Sequence, residues 1–302
     1  MAKWRTVAPI NPEYYKETTL TLPFALGGNV YFEKAPGWLS RIVGIEKLSE
    51  PQRENIIKKA VYIFCSEYDA ESFGDPYPGE ERSKQAVFLE RIQLSNLALW
   101  IVKPSKLGFN LFFHIREENG DFLLINSAGT AFLEPHDKDS ENSLDANDFE
   151  SAKNINSKIQ NLNRNGSIWI AIYTLWLALL NDKTWELRFL LLWVALEALF
   201  GTKTEITFRI SQRISFFVFE KEERLKSYNM IKENYGWRSK IVHGMKLNSL
   251  EFEESAVVLY NTETIIRKVL IKILNDENLI KVFSDDKTRD EYLDELVFNV
   301  GN

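Results

Sequence analysis

The sequence predicts an α+β protein: a mixed α/β domain over residues 1–150 followed by an all-α domain over residues 151–302. Two observations carry this. Residues 108–127 alternate apolar and polar side chains around Asn119-Gly120, a favoured hairpin turn. From about Ser167 onward the text changes to long apolar-striped runs ended by glycine or polar residues, which is the pattern of packed helices.

In the first half, Thr18–Leu26 and Asn29–Glu33 are expected as short strands joined at Gly27-Gly28. Ser49–Ser66 is expected to be helical, with Ser49 as cap and Pro51 in the first turn. Ser83–Val102 reads as a helix, or a helix running into a strand, that ends before Pro104. Residues Glu134–Ser151 are acidic, lack apolar periodicity and are expected to form a linker or exposed loop. In the second half helices are expected over Ile168–Leu180, Thr184–Phe200 (with Asp182 as a candidate cap and Gly201 as the stop), Thr207–Phe219, Glu222–Asn234, Trp237–His243, Ser249–Leu274 and Asp286–Phe298.

Composition narrows the function classes. With 45% hydrophobic and 26% charged residues the chain is globular rather than disordered. Its net charge of -6 argues against a nonspecific nucleic-acid binder that works through its global field, so any RNA role needs a local basic patch. A single cysteine, Cys65, excludes an internal disulfide and a cysteine-rich zinc site, and its apolar surroundings mark it as a buried bystander. No signal-peptide h-region opens the chain, and its apolar runs are shorter than the ~20 residues of a membrane span, so a cytoplasmic protein without membrane contact is expected. There is no P-loop, no Rossmann glycine pattern and no zinc ligand set. Asp137, Asp139, Glu141, Asp145 and Asp148 do not have the spacing of a calcium loop, and a solvated acidic loop is expected; no metal and no cofactor are expected.

The segment most suggestive of chemistry is Tyr235-Gly236-Trp237-Arg238-Ser239-Lys240-Ile241-Val242-His243-Gly244. Arg238 offers a permanent positive charge with forked donors, and His243, one of three histidines, offers a group that carries a proton near neutral pH. The pair alone is weak, because a histidine in a last helical turn also complements the helix dipole. On a regular helix the five-residue step sets the two side chains ~140° apart.

Three stretches together are more specific: Leu196-Glu197-Ala198-Leu199-Phe200-Gly201, Phe208-Arg209-Ile210-Ser211-Gln212-Arg213-Ile214, and Arg238-Ser239-Lys240-Ile241-Val242-His243-Gly244. In order and spacing the region from about Ser167 to Leu274 resembles the HEPN superfamily, especially its Apea-like branch; the first half carries no such resemblance. The resemblance implies a helical bundle, a homodimer formed through the motif helices, and in many members metal-independent RNase activity. Its arginine and histidine fall on Arg238 and His243. Where related toxins controlled by nucleotidylation have a tyrosine two residues after the histidine, this chain has Met245, which speaks against that control.

The surrounding residues each carry two readings. Glu197, alone in an apolar run, either pairs structurally with Arg209 or Arg213 or orients Arg238 or His243. Arg209 and Arg213, four apart, either hold Glu197 or meet RNA phosphate. Lys240 and Lys246 are phosphate contacts or solvated lysines. Tyr235 and Trp237 stack on bases or pack in a core or dimer. Ser239 donates a hydrogen bond at the site or starts a helix. His114 is expected on a strand, half-buried, and His136 on the surface. The expected function is therefore a metal-independent HEPN endoribonuclease with RNA as partner, a toxin or antiviral effector whose first domain restrains it until a phage or cellular trigger arrives. The alternatives are a non-catalytic RNA- or nucleotide-binding scaffold and a nucleotide-binding regulator.

Overall fold

The computed structural model describes residues 1–10, 15, 18–54, 59–79, 81–105, 107–129, 144–180, 184–202, 204–244 and 252–298. The chain is α+β and divides into two compact units, Met1–Gln160 and Asn161–Asn302. The division therefore falls beyond the residue-150 boundary read from the sequence.

The first unit contains β1 (Ala2–Pro9), β2 (Phe24–Gly27), β3 (Val30–Lys34), α1 (Glu50–Arg53), β4 (Tyr62–Ala70), α2 (Lys84–Val102), β5 (Leu111–Glu118), β6 (Asp121–Gly129) and α3 (Ala146–Gln160). Its strands form one sheet in the order β2-β3-β4-β1-β5-β6, with antiparallel pairing throughout. Because side chains alternate along a strand, β1 places Val7 on one face and Trp4 on the other. Val7, Ile63, Cys65, Phe113 and Ile115 pack with Leu39, Ile42 and Leu48. Trp4, Tyr68 and Ala70 pack with Phe88 of α2, whose ring stacks on Tyr68 at 4.3 Å. Between β5 and β6, Asn119 and Gly120 both adopt positive φ (52° and 86°), as a two-residue hairpin turn requires.

The sequence misplaces three segments of this unit, the first being the strand expected over Thr18–Leu26, which forms only from Phe24 as β2. Of the helix expected over Ser49–Ser66, the described residues include the turn α1, while Tyr62–Ser66 enters the strand β4. β4 lies between β3 and β1 and its first five residues are all buried, so no alternation reaches the sequence to distinguish it from a buried helix. The end of the expected acidic loop is instead the start of α3, where Asp145 and Asp148 exchange backbone-to-carboxylate hydrogen bonds of 2.9 and 3.0 Å. α3 belongs to the first unit because Phe149 is buried beside Phe32 and Asn156 Nδ2 donates to the Leu26 carbonyl (2.7 Å) and to Ser95 (3.0 Å). His114 is more buried than expected: its Nδ1 shares a 2.9 Å hydrogen bond with Thr6, and burial holds its pKa down at about 4. His136, Asp137, Asp139 and Glu141 lie outside the described residues.

The second unit contains α4 (Ser167–Leu179), α5 (Trp185–Phe200), α6 (Ile206–Val218), α7 (Arg224–Val242), α8 (Phe252–Leu274), α9 (Glu277–Phe283) and α10 (Asp286–Phe298). Thr184 caps α5 by accepting from the Leu187 N–H, whereas Asp182 lies outside the described residues. The core is built from Phe189, Leu192, Trp193, Leu196 and Phe200 of α5, Ile214 and Phe217 of α6, and Ile266, Leu270 and Ile273 of α8. α7 is one helix where the sequence suggested two: Gly236 lies inside it, and its ~1 kcal/mol penalty against alanine is too small to break a helix anchored by buried Ile231 and Tyr235. α9, absent from the sequence reading, is capped by Asp276, which accepts from the N–H groups of Asn278 and Leu279.

Candidate functional site

Two helices position the residues singled out by the motif. On α5, Trp193 and Glu197 are four apart and share a face; on α7, Tyr235 and Arg238 are three apart and do the same. The Trp193 and Tyr235 rings meet edge-to-face at 5.0 Å and 89°. Beyond this contact the Tyr235 hydroxyl donates to Glu197 Oε1 at 2.9 Å, and Arg238 Nη2, one turn on, donates to Glu197 Oε2 at 3.0 Å. The side chains of Arg238 and Glu197 are each 25% exposed, so the pair lies at the edge of the core and reaches solvent.

This geometry shows which of the candidate partners Glu197 meets. It pairs with Arg238 and Tyr235, and with neither Arg209 nor Arg213. Arg213 is 4% exposed and clamped by α10, Nη1 on Asp290 and Nη2 on Asp294, both at 3.0 Å, so it has no route to an RNA phosphate. Arg209 lies 3.7 Å from Glu205, one turn back on its own side of α6. Tyr235 is 6% exposed and has no open face for a base. Burial, and next the bond to Glu197, push its pKa up to about 12, so it remains a protonated donor.

His243 is the C-cap of α7. Its N–H donates to the Ser239 carbonyl at 3.1 Å, and Gly244 follows at φ 65°, the left-handed closure expected of that glycine. The residue is exposed, and among the described residues its imidazole makes no hydrogen bond or ion pair. The structure thus brings Arg238 to Glu197 and Tyr235 and leaves His243 in solvent at the end of the same helix. Ser239 is half-buried on α7. Lys240 Nζ sits 3.8 Å from the centre of the Trp237 ring, and Trp237 lines a groove of about 370 Å³ between α7 and α8 with Met230, Val257, Glu233 and Glu253. Lys246 and Met245 lie outside the described residues.

Two charged sites of this unit escaped the sequence reading. Asp290 and Asp294, four apart on α10, are the partners of Arg213. Arg188 of α5 directs Nε and Nη2 to Glu263 Oε1 of α8, both at 2.8 Å, with side-chain exposures of 9% and 5%. The signal was present for the second alone: Arg188 is a charge in an apolar helix, the argument that singled out Glu197, whereas α10 is charged along its length.

Among the described residues no group of His, Cys, Asp and Glu is arranged to hold a metal ion, and no helix is long and apolar enough to cross a membrane. No family model, curated protein or solved structure matches the chain.

Proposed function

We propose that the chain is a metal-independent endoribonuclease of the HEPN type. The observation that carries this reading is the state of Arg238: a partly exposed guanidinium whose ion pair with Glu197 uses Nη2, while among the described residues Nε and Nη1 have no protein acceptor. Such a group suits the nonbridging oxygens of a phosphodiester, on which charge builds during cleavage. In the proposed reaction His243 takes the proton of a ribose 2′-hydroxyl, the resulting oxygen attacks the adjacent phosphorus, and the 5′-oxygen leaves with a proton. The products are a 2′,3′-cyclic phosphate and a 5′-hydroxyl end. Arg238 and His243 are the proposed catalytic residues, with Glu197 orienting Arg238. A homodimer would supply a second His243 for the acid step. A cytoplasmic toxin or antiviral effector, restrained by the first unit until a trigger arrives, is the biological setting proposed.

A non-catalytic RNA- or nucleotide-binding scaffold is the second reading. The observation favouring it is that His243, ~140° around α7 from Arg238, has among the described residues no side-chain partner to orient it. One experiment separates the two: incubate the purified protein with mixed RNAs in EDTA and map the ends formed. Cyclic-phosphate ends that disappear in folded Arg238→Ala and His243→Ala support the nuclease. Intact RNA with saturable binding supports the scaffold.

A further inference from the structure

The geometry points to Tyr235 as a positioning residue that keeps Arg238 available to an anionic ligand, by occupying one oxygen of Glu197 so that this carboxylate cannot close a two-oxygen fork on the guanidinium. The identity of the anion, an RNA phosphodiester, rests on the ribonuclease reading above; the restraint on Glu197 does not.

A carboxylate facing an arginine tends to engage two of its nitrogens in parallel. The second unit contains two arginines with two nitrogens engaged by carboxylates. Arg188 sets Nε and Nη2 on the single oxygen Oε1 of Glu263, and Arg213 sets Nη1 on Asp290 and Nη2 on Asp294. Neither carboxylate partnership includes a tyrosine hydroxyl among these bonds. At Arg238 it does: Oε1 of Glu197 accepts from Tyr235 at 2.9 Å, and only Oε2 meets Nη2, at 3.0 Å. The phenol is well placed to enforce this. It is buried, its ring abuts Trp193, and it lies on the same face of α7 one turn before Arg238, whose guanidinium sits 5.6 Å from the Tyr235 ring centre. A pKa near 12 keeps the hydroxyl a donor at any physiological pH. Without that hydroxyl, Glu197 is free to rotate and offer its second oxygen to a second nitrogen, which closes the fork and withdraws that nitrogen from an anion.

The test is the reactivity of Arg238 toward phenylglyoxal, followed by peptide mass spectrometry in the full-length protein, with inorganic phosphate as the competing anion. Tyr235→Phe should slow Arg238 labelling by about five-fold and weaken phosphate protection, with thermal unfolding close to wild type. In a Glu197→Gln background the same Tyr235→Phe change should alter labelling by less than about two-fold, because the two act through one another. A mere packing role would not produce that dependence. Labelling of Tyr235→Phe at the wild-type rate, or an equal effect in both backgrounds, overturns the inference. Should Tyr235→Phe not fold, Glu197→Gln alone decides: labelling at or above the wild-type rate is expected, and slower labelling refutes it. RNA cleavage is assayed on the same samples. Failure of the wild type to cleave removes the ribonuclease reading and leaves the labelling result standing.

Discussion

α5 supplies one member to each of two ion pairs, and the two differ in almost everything but chemistry. Near its start, Arg188 reaches Glu263 of α8 in a setting where both side chains are under a tenth exposed. Near its end, Glu197 reaches Arg238 of α7 where both are a quarter exposed. Breaking a buried pair strands a charge in low dielectric and costs about 3–5 kcal/mol. A pair open to water contributes up to about 1 kcal/mol. The first is therefore structural glue, while the second sacrifices little stability when its arginine engages something else. Burial, not residue type, separates a cross-link from a tool.

The largest expected effect would break this comparison if it failed to appear. If the chain is the proposed ribonuclease, Arg238→Ala should lower RNA cleavage by at least about 100-fold, since it removes a donor to developing charge, while unfolding shifts by no more than about 1 kcal/mol. Cleavage kinetics and denaturant unfolding on one preparation read both. The reverse profile is expected at the other end of α5. Arg188→Met should lower stability by about 3–5 kcal/mol and leave cleavage per folded molecule unchanged. Combining it with Glu263→Leu should recover most of the loss, because the stranded carboxylate is gone. A single variant as stable as wild type would show that the dry pair is not glue.

Titration sharpens the contrast. Burial pushes the Glu263 carboxyl up to about 7 against the pull of Arg188. A carboxyl whose pKa is raised on folding contributes stability that is present below its unfolded value of about 4.5 and is lost as pH rises through 7. Glu263→Gln should remove that slope between pH 4.5 and 7. His114 works in the opposite direction: its pKa is lowered by burial from 6.5 to about 4, so its contribution is present above pH 6.5 and is lost as pH falls toward 4. His114→Phe should flatten that acid limb, which amounts to at most about 3 kcal/mol. Denaturant unfolding at stepped pH reads both. The smallest effect concerns the open site itself. A Cβ on Gly236 meets nothing within 4 Å, so Gly236→Ala should stabilise α7 by about 0.5–1 kcal/mol without altering cleavage. A fall in cleavage would mean that Arg238 needs a softer helix than the one described.

Much of the fold was legible because local signals agreed with the tertiary outcome. Asn119-Gly120 fixed the β5–β6 turn, Ser83 and Thr184 marked helix starts, and glycine closed α7. β4 was hidden because burial on both faces erases alternation. The break expected in α7 at Gly236 did not form because helix continuity there is decided by the neighbours it packs against, not by one residue's propensity. At the candidate site, spacing along the chain pointed to Arg238, His243 and Glu197. It could not say that Arg213 belongs to α10 or that Tyr235 serves Glu197, since both depend on which helices lie side by side.

The unbroken course of α7 has one more consequence. Its 19 residues form a rod roughly 28 Å long on which every side chain's direction is locked to the count of residues before it. Adding or removing a single residue ahead of Tyr235 would swing all that follows by about 100°, taking the phenol and the guanidinium off Glu197 together. Point changes on the outer side of this rod are easily absorbed, whereas a one-codon insertion or deletion within it would disarm the motif without touching any of its letters.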